Sequence, residues 1–339
     1  MRIRRRALLA ASAAALLLPR AARAQSTRTV TDMAGRKVAL PAKIARVVTL
    51  GSLPVINSFV FAMGEGRTLL NGLADFDRPH WKYQTVFAPH LKGLPRMQQP
   101  NREPNVEAIL LARPDVVLTM HRESVGLLES RGIAVVFLAW REPEDAKACM
   151  AILGEVFGKP EVARRYTAYF DGTLHQVRAT LAGVTEKERP RVLYMQPGTL
   201  TQPRLIAEWW IPAAGGVSVT NDGRTAESRS FTLEQVIAWD PDILIVTDPR
   251  DVTLVQTDRV FRELRAVKSG KVYIVPIGAH TWANRTSEQP LTVLWAAKTF
   301  HPARFPSLDL AAETDRFYRE FFGHALAKPE IDEILSGAL

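Results

Sequence analysis

One unit of sequence occurs twice in this chain and restricts the folds open to it. VEAILLARPDVVLT at 106–119 has a helical first half, then Pro114-Asp115, then a continuous apolar run. FTLEQVIAWDPDILIV at 231–246 repeats each step, with its Pro-Asp pair 127 positions later. A helix ends before a proline, and a short unbroken apolar run is typical of a strand covered on both faces. Each copy is therefore predicted to be a helix that leads into a buried parallel strand.

The segments around the two copies predict two similar α/β lobes. Each copy is preceded by a strand candidate, ARVVTL at 45–50 and RVLYMQ at 191–196. Each is followed by a helix candidate and a second strand, ESVGLLESR with IAVVFLA and VFRELRAV with KVYIVP. Strands that alternate with helices indicate a parallel sheet with helices on its faces.

A single long helix is predicted between the lobes. Apolar residues recur at three- and four-residue spacing through 160–183, with Pro160 suited to the first turn and Gly183 to the C-terminal end. A helical connection bends less than a flexible linker, so we expect small relative motions of the lobes. The expected lobes are residues 25–158 and 189–339, joined by a rigid helix within 159–188, with a ligand cleft between them.

The first 24 residues have the pattern of a cleaved export signal. A basic start precedes the apolar run ALLAASAAALLL and the small-x-small site Ala22-Arg23-Ala24. The Arg5-Arg6 pair fits a twin-arginine signal, and the general secretory route remains open. Because this segment holds six of the 44 basic residues and no acidic one, the remainder carries 38 basic against 35 acidic residues. That balance gives no support to nucleic-acid binding, and the single Cys149 excludes an internal disulfide.

The export signal, the two lobes and the connecting helix together resemble the periplasmic binding proteins that deliver ferric siderophores, haem or cobalamin to ABC importers. TVTDMAGRKVALPAKIARVVTL at 29–50 looks like the opening hairpin and first lobe strand of that family, and the two repeats look like its lobe signatures. WANRTSEQPLTVLWAAKTFHPARF at 282–305 is similar to its C-terminal segment. The resemblance covers nearly all of the chain after the signal. It implies a monomeric periplasmic solute-binding protein that performs no covalent chemistry.

The same resemblance implies a docking role for one glutamate in each repeat. In the family, an exposed Glu of each signature meets basic residues of the inner-membrane permease, and the matching positions here are Glu107 and Glu234. Two carboxylates set apart on one face would orient the partner and steer its approach. The alternative is that each is a Glu favoured by the dipole at the start of a helix.

Ligands of open α/β sheets bind beyond the carboxyl ends of the strands, so residues there are the candidate site. Arg122 and Arg285, one in each predicted lobe, are expected to hold anionic oxygens of the ligand. Aromatic side chains near these ends are expected to pack against it, although each tryptophan could equally lie in the core. The aromatic candidates are Tyr83, Trp140, Trp209, Trp210 and Trp282, whereas Trp295 is expected in the core. The predicted ligand is an iron complex, first of all a ferric siderophore, and no resident cofactor is expected.

Other ligands and other classes of function stay open. His121 and His280, which follow strands at equivalent positions of the two lobes, could ligate haem iron or a bare metal together with Tyr83. Cobalamin, or an oxyanion such as molybdate held by Arg and His donors, would also suit the fold. A sensor or scavenger that serves no importer is a further alternative. An enzyme is disfavoured because G-x-S-x-G, a phosphate-binding glycine loop and H-E-x-x-H do not occur.

Overall fold

The computed structural model describes residues 27–73, 78–203, 208–222 and 228–339. The predicted export signal lies outside the described residues. The strands are β1 (Thr27–Thr31), β2 (Lys37–Pro41), β3 (Val47–Leu50), β4 (Val116–Thr119), β5 (Val135–Phe137), β6 (Arg191–Tyr194), β7 (Thr201–Pro203), β8 (Val217–Ser218), β9 (Ser228–Ser230), β10 (Ile243–Val246) and β11 (Val272–Ile274). The helices are α1 (Leu53–Ala62), α2 (Lys82–Phe87), α3 (Val106–Ala112), α4 (Glu123–Glu129), α5 (Glu144–Phe157), α6 (Pro160–Thr180), α7 (Trp210–Ala213), α8 (Leu233–Trp239), α9 (Pro249–Thr257), α10 (Arg265–Lys268), α11 (Gln289–Phe300), α12 (Leu310–Phe317) and α13 (Lys328–Ser336). Within the described ranges, no helix is long and apolar enough to cross a membrane.

Two parallel sheets form the two lobes and share one strand order. The first lobe has the order β3-β4-β5. The second has β8-β6-β10-β11, in which β6, β10 and β11 correspond to β3, β4 and β5. Strand β8 pairs with the start of β6, and in the first lobe a single parallel bridge between Val47 and Leu69 takes the equivalent place beside β3. All four residues of β4 and of β10 are buried. The prediction of two α/β lobes with buried parallel strands is therefore confirmed.

The repeated units have the predicted helix and strand, joined by the Pro-Asp pair. The C-cap residues of α3 and α8 are Arg113 and Asp240, which have left-handed backbones with φ of 45° and 37° and directly precede proline. The carboxylate of the following Asp then accepts hydrogen bonds from the start of the neighbouring strand. Asp115 accepts from the amide of Arg46 at 2.9 Å, and Asp242 accepts from that of Arg191 at 2.9 Å. The Pro-Asp pair thus ends the helix and aligns two strands.

The connecting segment is one uninterrupted helix. Helix α6 has Pro160 in its first turn as predicted, and Gly172 lies inside it without breaking it. At 1.5 Å per residue its 21 residues extend about 31 Å. The helix ends at Thr180 with Leu181 as C-cap, so Gly183 is not the cap. Helix α6 packs on α5 of the first lobe and on α11 of the second.

The hydrophobic core continues from one lobe into the other. One cluster combines the inner faces of both sheets with α1, α5, α6 and α11. Two separate clusters lie under the outer helices, one beneath α3 and α4 and one beneath α8 and α9. Because close-packed interiors deform little, this shared core should restrict the lobes to small relative movements.

Candidate ligand-binding site

The carboxyl ends of β3 and β4 come together in the first lobe. Gly51, directly after β3, has φ of +84°, and a Cβ added there would lie 3.3 Å from the amide nitrogen of His121, which follows β4. The Gln98 side chain fixes this turn, since its Oε1 accepts from the Gly51 amide at 2.7 Å and its Nε2 donates to the Gly51 carbonyl at 3.2 Å. Glycine is required here by both the backbone angle and the close approach.

A residue from the second lobe reaches this turn. The Arg285 guanidinium donates from Nη2 to the Ser52 Oγ at 3.4 Å. Ser52 precedes α1, but its side chain makes no capping hydrogen bond there. Both side chains are half-buried. The two lobes thus meet through a positive charge and a hydroxyl at the start of a helix, where an anion would be stabilised by the helix dipole as well.

His280 and Thr281 belong to the second lobe, where the charge of Arg285 acts on His280. The Nδ1 of His280 is enclosed and has no hydrogen-bond partner. Burial, followed by the nearby His80 and Arg285 charges, lowers the pKa of His280 to about 3, so its imidazole is neutral near pH 7. The Trp81 ring lies 5.6 Å from the His280 ring, and His80 Nε2 is 3.4 Å from the Thr281 hydroxyl. A buried polar atom without a partner is unusual and fits a ligand contact.

An acidic residue, Asp248, lies near His80. Asp248 is the N-cap of α9, and its carboxylate accepts hydrogen bonds from Nε and Nη2 of Arg250 at 2.9 and 2.7 Å. These hydrogen bonds hold the pKa of Asp248 below its usual range. Burial lowers the pKa of His80, although the nearby Asp248 acts in the opposite direction. Because β10 is the counterpart of β4, the residue equivalent to His121 is Asp248. The assignment of His280 to the matching position is therefore corrected, since His280 lies beyond β11.

Glu288 holds the segment that carries His280. Its carboxylate accepts from the amide of Ala279 at 2.8 Å and from that of His280 at 3.2 Å, and it also receives the Tyr318 hydroxyl. Gly278 passes so close that an added Cβ would collide with the Tyr318 hydroxyl oxygen. Burial raises the pKa of Glu288, while these donors oppose the increase. The sequence analysis missed this residue, and no local pattern distinguishes it.

His121 and Arg122 lie between β4 and α4 and have local partners. The His121 ring contacts the Ser124 hydroxyl at 2.7 Å and the Glu123 carboxylate at 3.2 Å. Arg122 is exposed, with its guanidinium 5.7 Å from the centre of the Phe137 ring. Of the two predicted arginines, the structure brings Arg285 to the junction of the lobes and leaves Arg122 at the surface.

Most of the predicted aromatic candidates belong to the core instead of an open cleft wall. Trp210 and Trp282 are fully buried, and Trp140 is nearly so beside Phe59. Trp295 is in the core as predicted. Burial of a large apolar ring explains these positions without a ligand.

The two remaining candidates each connect elements of the fold. The Tyr83 hydroxyl donates a hydrogen bond to the Glu333 carboxylate at 2.8 Å, which connects α2 to α13. Burial and this hydrogen bond both raise the pKa of Tyr83. Trp209 is partly buried and stacks on Phe170 of α6 with ring centres 5.8 Å apart. Neither is brought next to Arg285 by a described contact.

The histidines do not assemble a metal centre in the described part of the chain. Within it, no group of at least three His, Cys, Asp or Glu side chains is placed to hold a metal ion. With the Tyr83 hydroxyl engaged by Glu333, the combination of His121, His280 and Tyr83 as metal ligands loses support.

The two glutamates of the repeats occupy equivalent places on the lobe surfaces. Glu107 is the second residue of α3, after the Asn105 cap, and Glu234 is the second residue of α8, after the Thr232 cap. Both are exposed. Hydrogen bonding to backbone and to Thr232 lowers the pKa of Glu234, which keeps that carboxyl charged.

Two α/β lobes, a helix between them and a polar junction at the strand ends are the architecture of a two-lobed solute-binding protein. A family model described as periplasmic binding protein matches residues 72–277, and the chain belongs to this family. It is the class of binding protein that serves ABC importers.

Similar proteins agree with this membership. The molybdate-binding protein MolA of Haemophilus influenzae is 24% identical in an alignment 330 positions long, gaps included, that covers 88% of this chain and 92% of that protein. A periplasmic solute-binding protein from Veillonella parvula superposes with a TM-score of 0.80 at 24% identity, covering 91% of this chain and 97% of the other. The structure of MolA bound to molybdate superposes with a TM-score of 0.76 at 21% identity, covering 88% of this chain and 99% of the other. At these identities the structural likeness establishes the fold.

Proposed function

We propose that this protein captures a small tetrahedral oxyanion of the molybdate class in the periplasm and presents it to the permease of an ABC importer. The observation that carries the choice of ligand is the junction of Arg285 with Ser52 beside the enclosed, unpartnered Nδ1 of His280. A guanidinium, a hydroxyl and a neutral imidazole N–H can all donate to anionic oxygens. The similarity to the molybdate-binding MolA supports the same ligand class.

The packing of the predicted aromatic residues also favours a small ligand. Arg285 and Ser52 are 3.4 Å apart, and Trp140, Trp210 and Trp282, the large aromatics expected to line a wider cleft, are in the core. An anion held by both lobes would favour a slightly closed form, which the permease can distinguish from the empty form.

Delivery is proposed to use Glu107 and Glu234 as the docking carboxylates. They are exposed, equivalent in the two lobes and placed at helix starts. Charge reversal at both should abolish uptake while ligand affinity stays unchanged. Normal uptake by the double variant would remove them from this role.

A ferric siderophore, or another iron complex that presents flat or apolar surface, is the second candidate. Trp81 is only partly buried and lies against His280, so it offers one aromatic face at the junction. A cleft that opened beside this ring would admit a larger, flat ligand.

A thermal-shift screen of residues 25–339 separates these candidates. The panel contains molybdate, tungstate, sulfate, phosphate, ferric siderophores, haem, cobalamin and nickel with histidine. A ligand at about 100 times its Kd stabilises the fold by about 2.7 kcal/mol. A shift with molybdate or tungstate supports the oxyanion proposal, and a shift confined to an iron complex replaces it with the second candidate.

A further inference from the structure

Exposed large apolar side chains recur at equivalent positions of the two lobes. Leu110 on α3 is 42% exposed and Ile237 on α8 is 49% exposed, and they are related by the same 127-residue offset as Glu107 and Glu234. A second pair with this offset, Leu127 on α4 and Leu254 on α9, is 42% and 36% exposed. Exposed apolar residues by themselves need no explanation, but the first pair differs from the second because each of its members adjoins an exposed glutamate at the same place in its lobe.

The first pair lies directly beside the glutamates. Leu110 follows Glu107 by three residues and Ile237 follows Glu234 by three, a spacing that puts both side chains on one helix face. Leu111, four residues after Glu107, is 84% exposed. The inner faces of these helices pack on the two separate hydrophobic clusters beneath them, through buried Ile109 of α3 and Val236 of α8. The packing therefore turns an acidic and an apolar side chain outward together on each lobe.

We propose that Glu107 with Leu110 and Leu111, and Glu234 with Ile237, form two docking patches for the two permease subunits, in which the apolar side chains supply the contact that holds the complex. This inference rests on the proposed function. Two matching patches on one chain fit a partner that presents two matching surfaces. Each of those surfaces is expected to pair a basic side chain with an apolar depression.

The two components of each patch have different physical effects. The carboxylates act at long range, so their contribution to association weakens as salt screens it. The apolar side chains act only in contact, by removing their remaining exposed surface from water, and salt does not screen this effect. The salt dependence of the loss of permease affinity therefore identifies whether a substitution has removed the electrostatic or the apolar component.

The test measures binding of residues 25–339 to the purified permease–ATPase complex of the importer that the protein serves, in lipid nanodiscs, at low and high salt. The double variant Leu110→Gln with Ile237→Gln should bind about tenfold more weakly at both salt concentrations. The double variant Glu107→Gln with Glu234→Gln should lose affinity at low salt, and most of this loss should disappear at high salt. Circular dichroism and the molybdate thermal shift should match the parent protein in both variants.

The matched control is Leu127→Gln with Leu254→Gln, which changes the other lobe-related pair outside the patches and should leave permease binding unchanged. An equal loss in this control would overturn the assignment to α3 and α8. Parent-like binding by the Leu110 and Ile237 variant, while the glutamate variant is impaired, would overturn the apolar contact and leave the proposed function intact. If neither variant is impaired, the docking role in the proposed function also fails. Self-association of the parent, abolished in the Leu110 and Ile237 variant, would make a second copy of the chain the occupant and overturn the proposal.

Discussion

Arg285 of the second lobe lies against Ser52 of the first, with the guanidinium Nη2 3.4 Å from the hydroxyl oxygen. The pair joins residues 233 positions apart, at the ends of sheets that belong to different lobes. An anion bound there would contact both lobes at once, which couples ligand binding to their relative position.

Replacing Arg285 by Ala should weaken molybdate binding by about ten- to a hundredfold, because a hydrogen bond to a charged group contributes about 1.5–3 kcal/mol. Arg285→Lys should recover only part of the affinity, since it keeps the charge but loses the planar donor pair. Isothermal titration calorimetry measures both. Arg319→Ala, an exposed arginine paired with Asp315, is the control and should bind normally. Unchanged affinity of Arg285→Ala would remove this residue from the site.

Gly51→Ala should destabilise the protein more than Gly35→Ala. Both glycines have positive φ, +84° and +75°, so each substitution introduces backbone strain of about 1 kcal/mol. Only at Gly51 would the new methyl group meet a neighbour, the His121 backbone at 3.3 Å, whereas Gly35 faces open space. Urea unfolding of both variants measures the difference, and equal losses of stability would show that the close approach has no effect.

Tyr83→Phe should lower the free energy of unfolding by about 1 kcal/mol and leave ligand affinity unchanged. The hydroxyl is buried and donates to Glu333, so its removal eliminates a hydrogen bond that connects α2 to α13. Denaturant unfolding and calorimetry on the same sample measure the two quantities. A loss of affinity at constant stability would instead return Tyr83 to the ligand site.

His280 should make the protein less stable as the pH falls from about 6.5 towards about 3. In this window the unfolded chain binds a proton at His280 and the folded chain does not. The free energy of unfolding therefore decreases as the solution becomes more acidic, by no more than about 1.4 kcal/mol per pH unit. His280→Asn should remove this part of the decrease. Parallel stability curves for parent and variant across the window would contradict the assignment.

The repeated units could be predicted because their information is local. The apolar runs that form β4 and β10, the prolines that end α3 and α8, and the early-turn positions of Glu107 and Glu234 are all readable along the chain. Helix α6 was predicted for the same reason, and only its end differed, since the chain leaves the helix before Gly183.

The binding junction could be predicted only as a set of strand ends. The sequence predicted that His121 and His280 follow equivalent strands of the two lobes. The pairing of strands instead makes β10 the counterpart of β4, and therefore Asp248 the counterpart of His121. Glu288, which positions the His280 segment, carries no pattern that distinguishes it from a surface glutamate.

The sequence by itself determined the two lobes, the helix between them and the face that carries the glutamates, since helix and strand periodicity and proline act over a few residues. Only the tertiary structure decided which polar and aromatic side chains meet. Trp209 and Trp210 are adjacent in the chain, yet one stacks partly exposed on Phe170 and the other is fully buried. Contacts such as Arg285 with Ser52 depend on the packing of distant segments around a shared core, which local propensity does not encode.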